Sequence, residues 1–226
     1  MNYEIKGTPF PVVICNLQAN ESMDCQKGGM AWMSPNMSMT TRGGGLGKMF
    51  SKVISGESMF TNTYTAQGGP GQIAFNVHAP GTILPFQIAP GRSIVAQKSS
   101  YLASEKGVDM SIFFQKRITS GFFGGEGFIM QRFSGNGMVF LEIDGSVVEY
   151  QLQVGQSMIV DTGYLAAMDE TCQISVETVK GVGNIFLGGE GFFNTKITGP
   201  GHVWLQTMPV PTFAEAIAKY IPTKSN

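Results

Sequence analysis

The sequence predicts an all-β fold in which one structural unit of roughly 64 to 71 residues is repeated three times along the chain. Three observations carry this. The chain is self-similar at a nearly fixed offset, its apolar residues alternate with polar ones, and turn signals recur about every 8 to 12 residues. That turn spacing suits a sandwich, a jelly roll or a β-helical barrel.

The self-similarity is clearest in the second half. FFGGEGFIMQRFSGNGMVFLE, from Phe122, returns from Phe186 as FLGGEGFFNTKITGPGHVWLQ. The same offset carries Gly91 and Ser93 onto Gly155 and Ser157. Upstream, Gly56, Glu57 and Met59 match Gly125, Glu126 and Phe128, and Gly69, Gly71, Ile73 and Phe75 match Gly135, Gly137, Val139 and Leu141. Ser22, Gln26, Lys27 and Met39 fall on Ser93, Gln97, Lys98 and Met110. The order is preserved throughout. The chain therefore divides into repeat one at 1–76, repeat two at 77–142, repeat three at 143–207 and a C-terminal helix and tail at 208–226, together one compact unit.

Within the repeats, Ile73, Phe75 and Val77 alternate with Ala74, Asn76 and His78, the period-two pattern of a half-buried strand. Val148, Tyr150, Leu152 and Val154 alternate in the same way with Glu149, Gln151 and Gln153. Asp144-Gly145, between two such runs, suits a two-residue hairpin turn because glycine accepts positive φ. Gly69-Pro70-Gly71, Gly135-Asn136-Gly137 and Gly199-Pro200-Gly201 form one matched turn in all three repeats. Two helices interrupt the strands. Repeat one carries a Gly-rich insertion at 43–54, where Leu46, Met49, Phe50 and Val53 make an i, i+3, i+4, i+7 stripe. The second helix is C-terminal, with Thr212 and Glu215 as a capping box, then Phe213, Ile217 and Tyr220 at helical spacing.

Composition narrows the function. Hydrophobic residues are 42% of the 226 and charged residues only 14%, with 15 basic against 16 acidic side chains and a net charge of −1. A near-neutral chain offers no electrostatic footprint for nucleic acid, and it meets no long-range penalty on self-association. Cys15, Cys25 and Cys172 form no Cys-x-x-Cys pair, so buried reduced thiols are expected rather than a disulfide framework or zinc knuckle. MNYEIKGTPF reads neither as a signal nor as a transit peptide, and no apolar run is long enough to span a membrane as a helix. The expected setting is cytoplasmic.

No catalytic set, cofactor motif or metal site emerges. His78 and His202 lack partners at metal-ligand spacing, and no Gly-x-Ser-x-Gly elbow is present. Gly43–Lys48 is not a phosphate loop, since Arg42 and Met49 occupy positions that need glycine and Ser or Thr. Glu57, Glu126 and Glu190 stand at one matched position per repeat. They would accept backbone N–H bonds at a turn, or alternatively meet around a threefold axis to hold a cation. Leu46, Met49, Phe50 and Val53 would pack on their own sheet, or alternatively touch lipid as a peripheral contact. Neighbouring side chains on a strand face opposite ways, so in Phe113-Phe114, Phe122-Phe123 and Phe192-Phe193 one ring of each pair should leave the core and seek cover, most readily from another subunit.

The ordered motifs Gly-Glu-Ser-Met-Phe at 56–60, Gly-Gly-Glu-Gly-Phe at 124–128 and 188–192, and Gly-Arg-Ser-Ile-Val at 91–95 resemble the altered-inheritance-of-mitochondria (mitochondrial biogenesis) family across about residues 5–206. The resemblance implies a fold like the tryptophan RNA-binding attenuator protein, with triplicated double-stranded β-helix units in packed sheets. It also implies homo-oligomers, and it supplies no catalytic residue. The attenuator's RNA binding does not transfer with its fold. The function expected is a non-catalytic homo-oligomeric β scaffold or interaction protein without cofactor. The alternative is a binding module for a small ligand, lipid or nucleic acid.

Overall fold

In the computed structural model, residues 1–42, 61–116, 127–178 and 193–222 are described, and among them nineteen strands and one α-helix account for nearly all regular structure. After an N-terminal strand β1 (Asn2–Lys6) come three six-strand series. The first is β2 (Val12–Leu17), β3 (Ser22–Gln26), β4 (Met30–Met33), β5 (Met37–Arg42), β6 (Thr61–Ala66) and β7 (Gly71–Asn76). The second is β8 (Gly81–Ile88), β9 (Ile94–Gln97), β10 (Tyr101–Glu105), β11 (Val108–Lys116), β12 (Phe128–Gly135) and β13 (Gly137–Asp144). The third is β14 (Val147–Leu152), β15 (Ser157–Asp161), β16 (Leu165–Asp169), β17 (Gln173–Thr178), β18 (Phe193–Thr198) and β19 (Gly201–Gln206), followed by helix α1 (Val210–Ala218). The protein is all-β.

One pairing scheme runs through the three series. The sixth strand lies between the first and third, and the fifth pairs with the second and fourth, always antiparallel. The chain changes sheets at the glycine turns. At Gly135-Asn136-Gly137, for instance, β12 lies in one sheet and β13 in another. Gly201 shows why glycine is needed at this corner. Its φ is +146°, and a Cβ there would sit 2.7 Å from Cys172 Sγ.

Two six-stranded sheets result, β5-β6-β3-β10-β13-β8 and β11-β12-β9-β16-β19-β14, flanked by β1-β2-β7-β4 and β15-β18-β17. Each six-stranded sheet is half from one series and half from the next. The cores are shared likewise. The cluster around Val13, Ile73 and Phe75 is sealed by Ile83, Leu102, Ala103 and Phe140 from the second series. Two further clusters combine second- and third-series residues, such as Phe128 and Met130 with Leu165 and Val203.

Four features depart from expectation. Asp144-Gly145 is not a hairpin turn: both edges of β13 are already taken by β8 and β10, so the chain passes to β14 in another sheet. The alternating face of β14 is not buried. Only Leu152 is, while Val148, Tyr150 and Val154 are exposed, because β14 is the outer strand of its sheet. Phe113 and Phe114 do not separate. A bulge between Ile112 and Phe114 breaks the alternation, and both rings pack on one core cluster, Phe113 beneath the Arg132 guanidinium at 5.5 Å and Phe114 edge-on to Phe128. Finally, α1 begins at Val210, so Thr212 lies inside it and makes no cap. Asp144 Oδ2 accepts the Val210 N–H at 2.8 Å, a carboxylate at the helix N-terminus where the helix dipole favours it. The insertion at 43–54, with Leu46, Met49, Phe50 and Val53, lies outside the described residues, as do Phe122, Phe123 and Phe192.

Candidate assembly interface

The residues joining one series to the next define the site. In the first junction β3 runs antiparallel to β10, with Cys25, Asp24 and Met23 opposite Ala103, Ser104 and Glu105. In the second, β9 runs against β16, with Ala96, Val95 and Ile94 opposite Ala167, Met168 and Asp169. Each seam holds one pair of small side chains, Cys25 with Ala103 and Ala96 with Ala167, and all of its residues but the outer Glu105 and Asp169 are buried. Polar bonds cross each seam. Gln26 Nε2 donates to Glu142 Oε1 at 2.6 Å, and Tyr101 Oη donates to the Asp24 carbonyl at 3.1 Å across the first. Gln206 Nε2 donates to Gln97 Oε1 at 3.5 Å across the second.

The scheme calls for a third junction, between β15 of the last series and β4 of the first. It is not made: β4 pairs only with β7, and β15 only with β18, among the described residues. The consequence is visible in the side chains. Trp32 and Met33 hold the positions of Ala103 and Ser104, and are 48% and 39% exposed where those two are buried. Ile159 holds the position of Val95 and is 69% exposed. Neither edge carries the lysine or proline with which free strands are commonly protected; β4 reads Met-Ala-Trp-Met and β15 Ser-Met-Ile-Val-Asp.

A second set of matched polar groups fixes the corners. Glu105 Oε2 accepts the Met138 N–H at 2.7 Å, Asp169 Oδ2 accepts the His202 N–H at 2.7 Å, and Ser34 Oγ accepts the Gln72 N–H at 2.9 Å. Each acceptor holds the residue after a corner glycine. Glu57, Glu126 and Glu190, expected from the sequence in that role, lie outside the described residues. Ser34, Glu105 and Asp169 are themselves linked by the repeat offsets, a signal sufficient to find them.

The histidines are cross-strand groups. His78 donates its backbone N–H to Glu142 Oε2 at 2.9 Å, and its Nδ1 lies 3.1 Å from the same carboxylate, which raises the imidazole pKa above 6.5. His202 Nδ1 is 2.6 Å from Glu149 Oε1, and its ring stacks on Trp204. All three cysteines are free and buried. Burial first, then nearby carboxylates, pushes Cys15 and Cys25 up to about 12 and Cys172 to about 11, so they are inert thiols at neutral pH. Among the described residues no three His, Cys, Asp or Glu side chains converge as metal ligands. No helix there is long and apolar enough to cross a membrane.

The sequence matches the profile of the family described as mitochondrial biogenesis AIM24 over residues 3–208. The chain belongs to that family. A relative, an uncharacterized protein of Streptococcus pyogenes serotype M6, is 28% identical over 98% of this chain and 91% of its own length. The crystal structure of another S. pyogenes protein superposes with a TM-score of 0.82 at 22% identity, covering 97% of this chain and 99% of that one. That likeness shows the fold. The AIM24 match spans residues 3–208 and so nearly all of the strands, and its description names no reaction.

Proposed function

We propose that this AIM24-family chain is a non-catalytic, self-assembling β scaffold, three copies of one unit fused in tandem and working as an interaction protein in a reducing, cytoplasmic setting. The observation that carries the reading is the pair of bare sheet edges. Trp32, Met33 and Ile159 are open to water at positions whose counterparts are buried between strands, and exposed apolar edges of this kind invite a partner. The low charge supports it, since a net charge of −1 sets up no repulsion between copies. The buried thiols with raised pKa values support the reducing setting. Size-exclusion chromatography with light scattering at micromolar concentration tests the proposal. The expected mass is a multiple of the 24.3 kDa chain, and a strictly monomeric protein would sink it.

A further inference from the structure

Resting on the scaffold reading, we infer that copies of this chain join head to tail by strand addition, β15 of one copy pairing antiparallel with β4 of the next to make the third junction. The partner is a second copy, because the chain makes this same contact twice within itself. The two flanking sheets are halves of what is missing. Joined at β4 and β15, they read β1-β2-β7-β4-β15-β18-β17, the order of the six-stranded sheets with β1 added at one end.

The internal junctions also set the register. Ala103 faces Cys25 and Ala167 faces Ala96; the matching positions place Trp32 opposite Val160, Met33 opposite Ile159 and Ser34 opposite Met158. The pairing covers the exposed apolar side chains of both edges at once. The polar crossing has its counterpart too. Gln26 with Glu142, and Gln97 with Gln206, correspond to Asp161 with Asn76, a carboxylate acceptor and an amide donor. Among the described residues the side chains of these two bond locally, Asp161 Oδ1 accepting the Gly163 N–H and Asn76 Nδ2 donating to the Val77 carbonyl. Because the two surfaces differ, the contact is heterologous, and each added copy presents a fresh edge until the assembly closes as a ring or runs on as a filament.

Two edge-blocked variants test this. Trp32→Lys with Met33→Lys blocks β4, and Ile159→Lys blocks β15; all three positions are exposed, so the fold should persist, as checked by thermal melting. A lysine left unpaired in the seam should weaken self-association roughly 30-fold or more. Each variant alone should therefore be monomeric at micromolar concentration. Mixed in equal amounts they should form a 1:1 dimer and nothing larger, since the one intact β15 edge meets the one intact β4 edge and both remaining edges are blocked. A variant that still self-associates, or a mixture that stays monomeric, overturns head-to-tail pairing. Blocked variants that assemble as the wild type does overturn this interface but leave the scaffold reading standing; a monomeric wild type ends both. Independently, Met33→Cys with Ile159→Cys in the otherwise intact chain should give an intermolecular disulfide ladder on oxidation. An intramolecular bond, or none, refutes the trans pairing even if the lysine variants fail to fold.

Discussion

Replacing Glu142 by alanine removes a carboxylate that ties β3, β13 and the segment after β7 together. Three donors converge on it: the Gln26 amide at 2.6 Å, the His78 backbone N–H at 2.9 Å and His78 Nδ1 at 3.1 Å. They would not suffer equally. The Gln26 side chain and the imidazole both reach solvent and can rehydrate, whereas the backbone N–H, pinned beside the sheet, loses its acceptor. The cost is therefore that of one unsatisfied part-buried donor, about 1–3 kcal/mol, and not the sum of three bonds. Glu142→Gln keeps an oxygen for that N–H and should cost about 1 kcal/mol or less. The pH response separates charge from bonding. His78 has its pKa raised by Glu142, so the stability it contributes is fully present below pH 6.5 and is lost as pH rises through the higher folded value. Both variants should flatten that slope, which solvent screening keeps small because the ring is half exposed. Urea unfolding at fixed protein concentration, followed by tryptophan fluorescence from about pH 5.5 to 8.5, measures both effects. An alanine variant within about 0.5 kcal/mol of wild type would refute the accounting, as would an unchanged slope in either variant.

Three other outcomes are expected. Tyr101→Phe, at a wholly buried ring whose hydroxyl bonds the Asp24 carbonyl and Ser104, should destabilise by about 1–2 kcal/mol in the same denaturation assay, and an unchanged midpoint would mean the first junction does not depend on that bond. Cys15 and Cys25 should resist a thiol reagent under mildly alkaline conditions in the native protein and react at once in denaturant; fast native labelling would contradict their burial. Asp144→Ala should speed amide hydrogen exchange through Val210–Ala218 and Asp144→Asn should not. Burial raises the Asp144 pKa, so the charged form costs stability above the unfolded value near 3.8 and that cost is relieved as pH falls, which should leave the asparagine variant as stable as wild type or more so at neutral pH.

The parts of the fold legible in the sequence are those written in local patterns. Alternation marks β7, and the glycine pairs mark the corners between β6 and β7, β12 and β13, and β18 and β19. What a local pattern does not carry is which strand lies alongside which. Val148 and Tyr150 alternate as well as Ile73 and Phe75 do, but among the described residues β14 has a neighbour on one side only, and Val148 and Tyr150 are exposed. Asp144-Gly145 has turn chemistry, yet β13 has no free edge to form a hairpin with. The bulge at Phe113 shifts the register by one position, and nothing in a pair of phenylalanines announces it. The candidate interface is hidden for the same reason. Trp32 and Ile159 look like ordinary strand residues until the strands beside their counterparts are known.

The first core also bears on how the chain is made. Its cluster around Val13, Ile73 and Phe75 is closed by Phe140, so the stretch ending at Asn76 cannot complete a core by itself. At ribosomal speeds of about 5–20 residues per second, roughly 7 to 28 s pass before Phe140 is synthesised. Through that interval the nascent strands keep open edges and uncovered apolar faces, and a chaperone that shields them would find its substrate in the first half of this polypeptide.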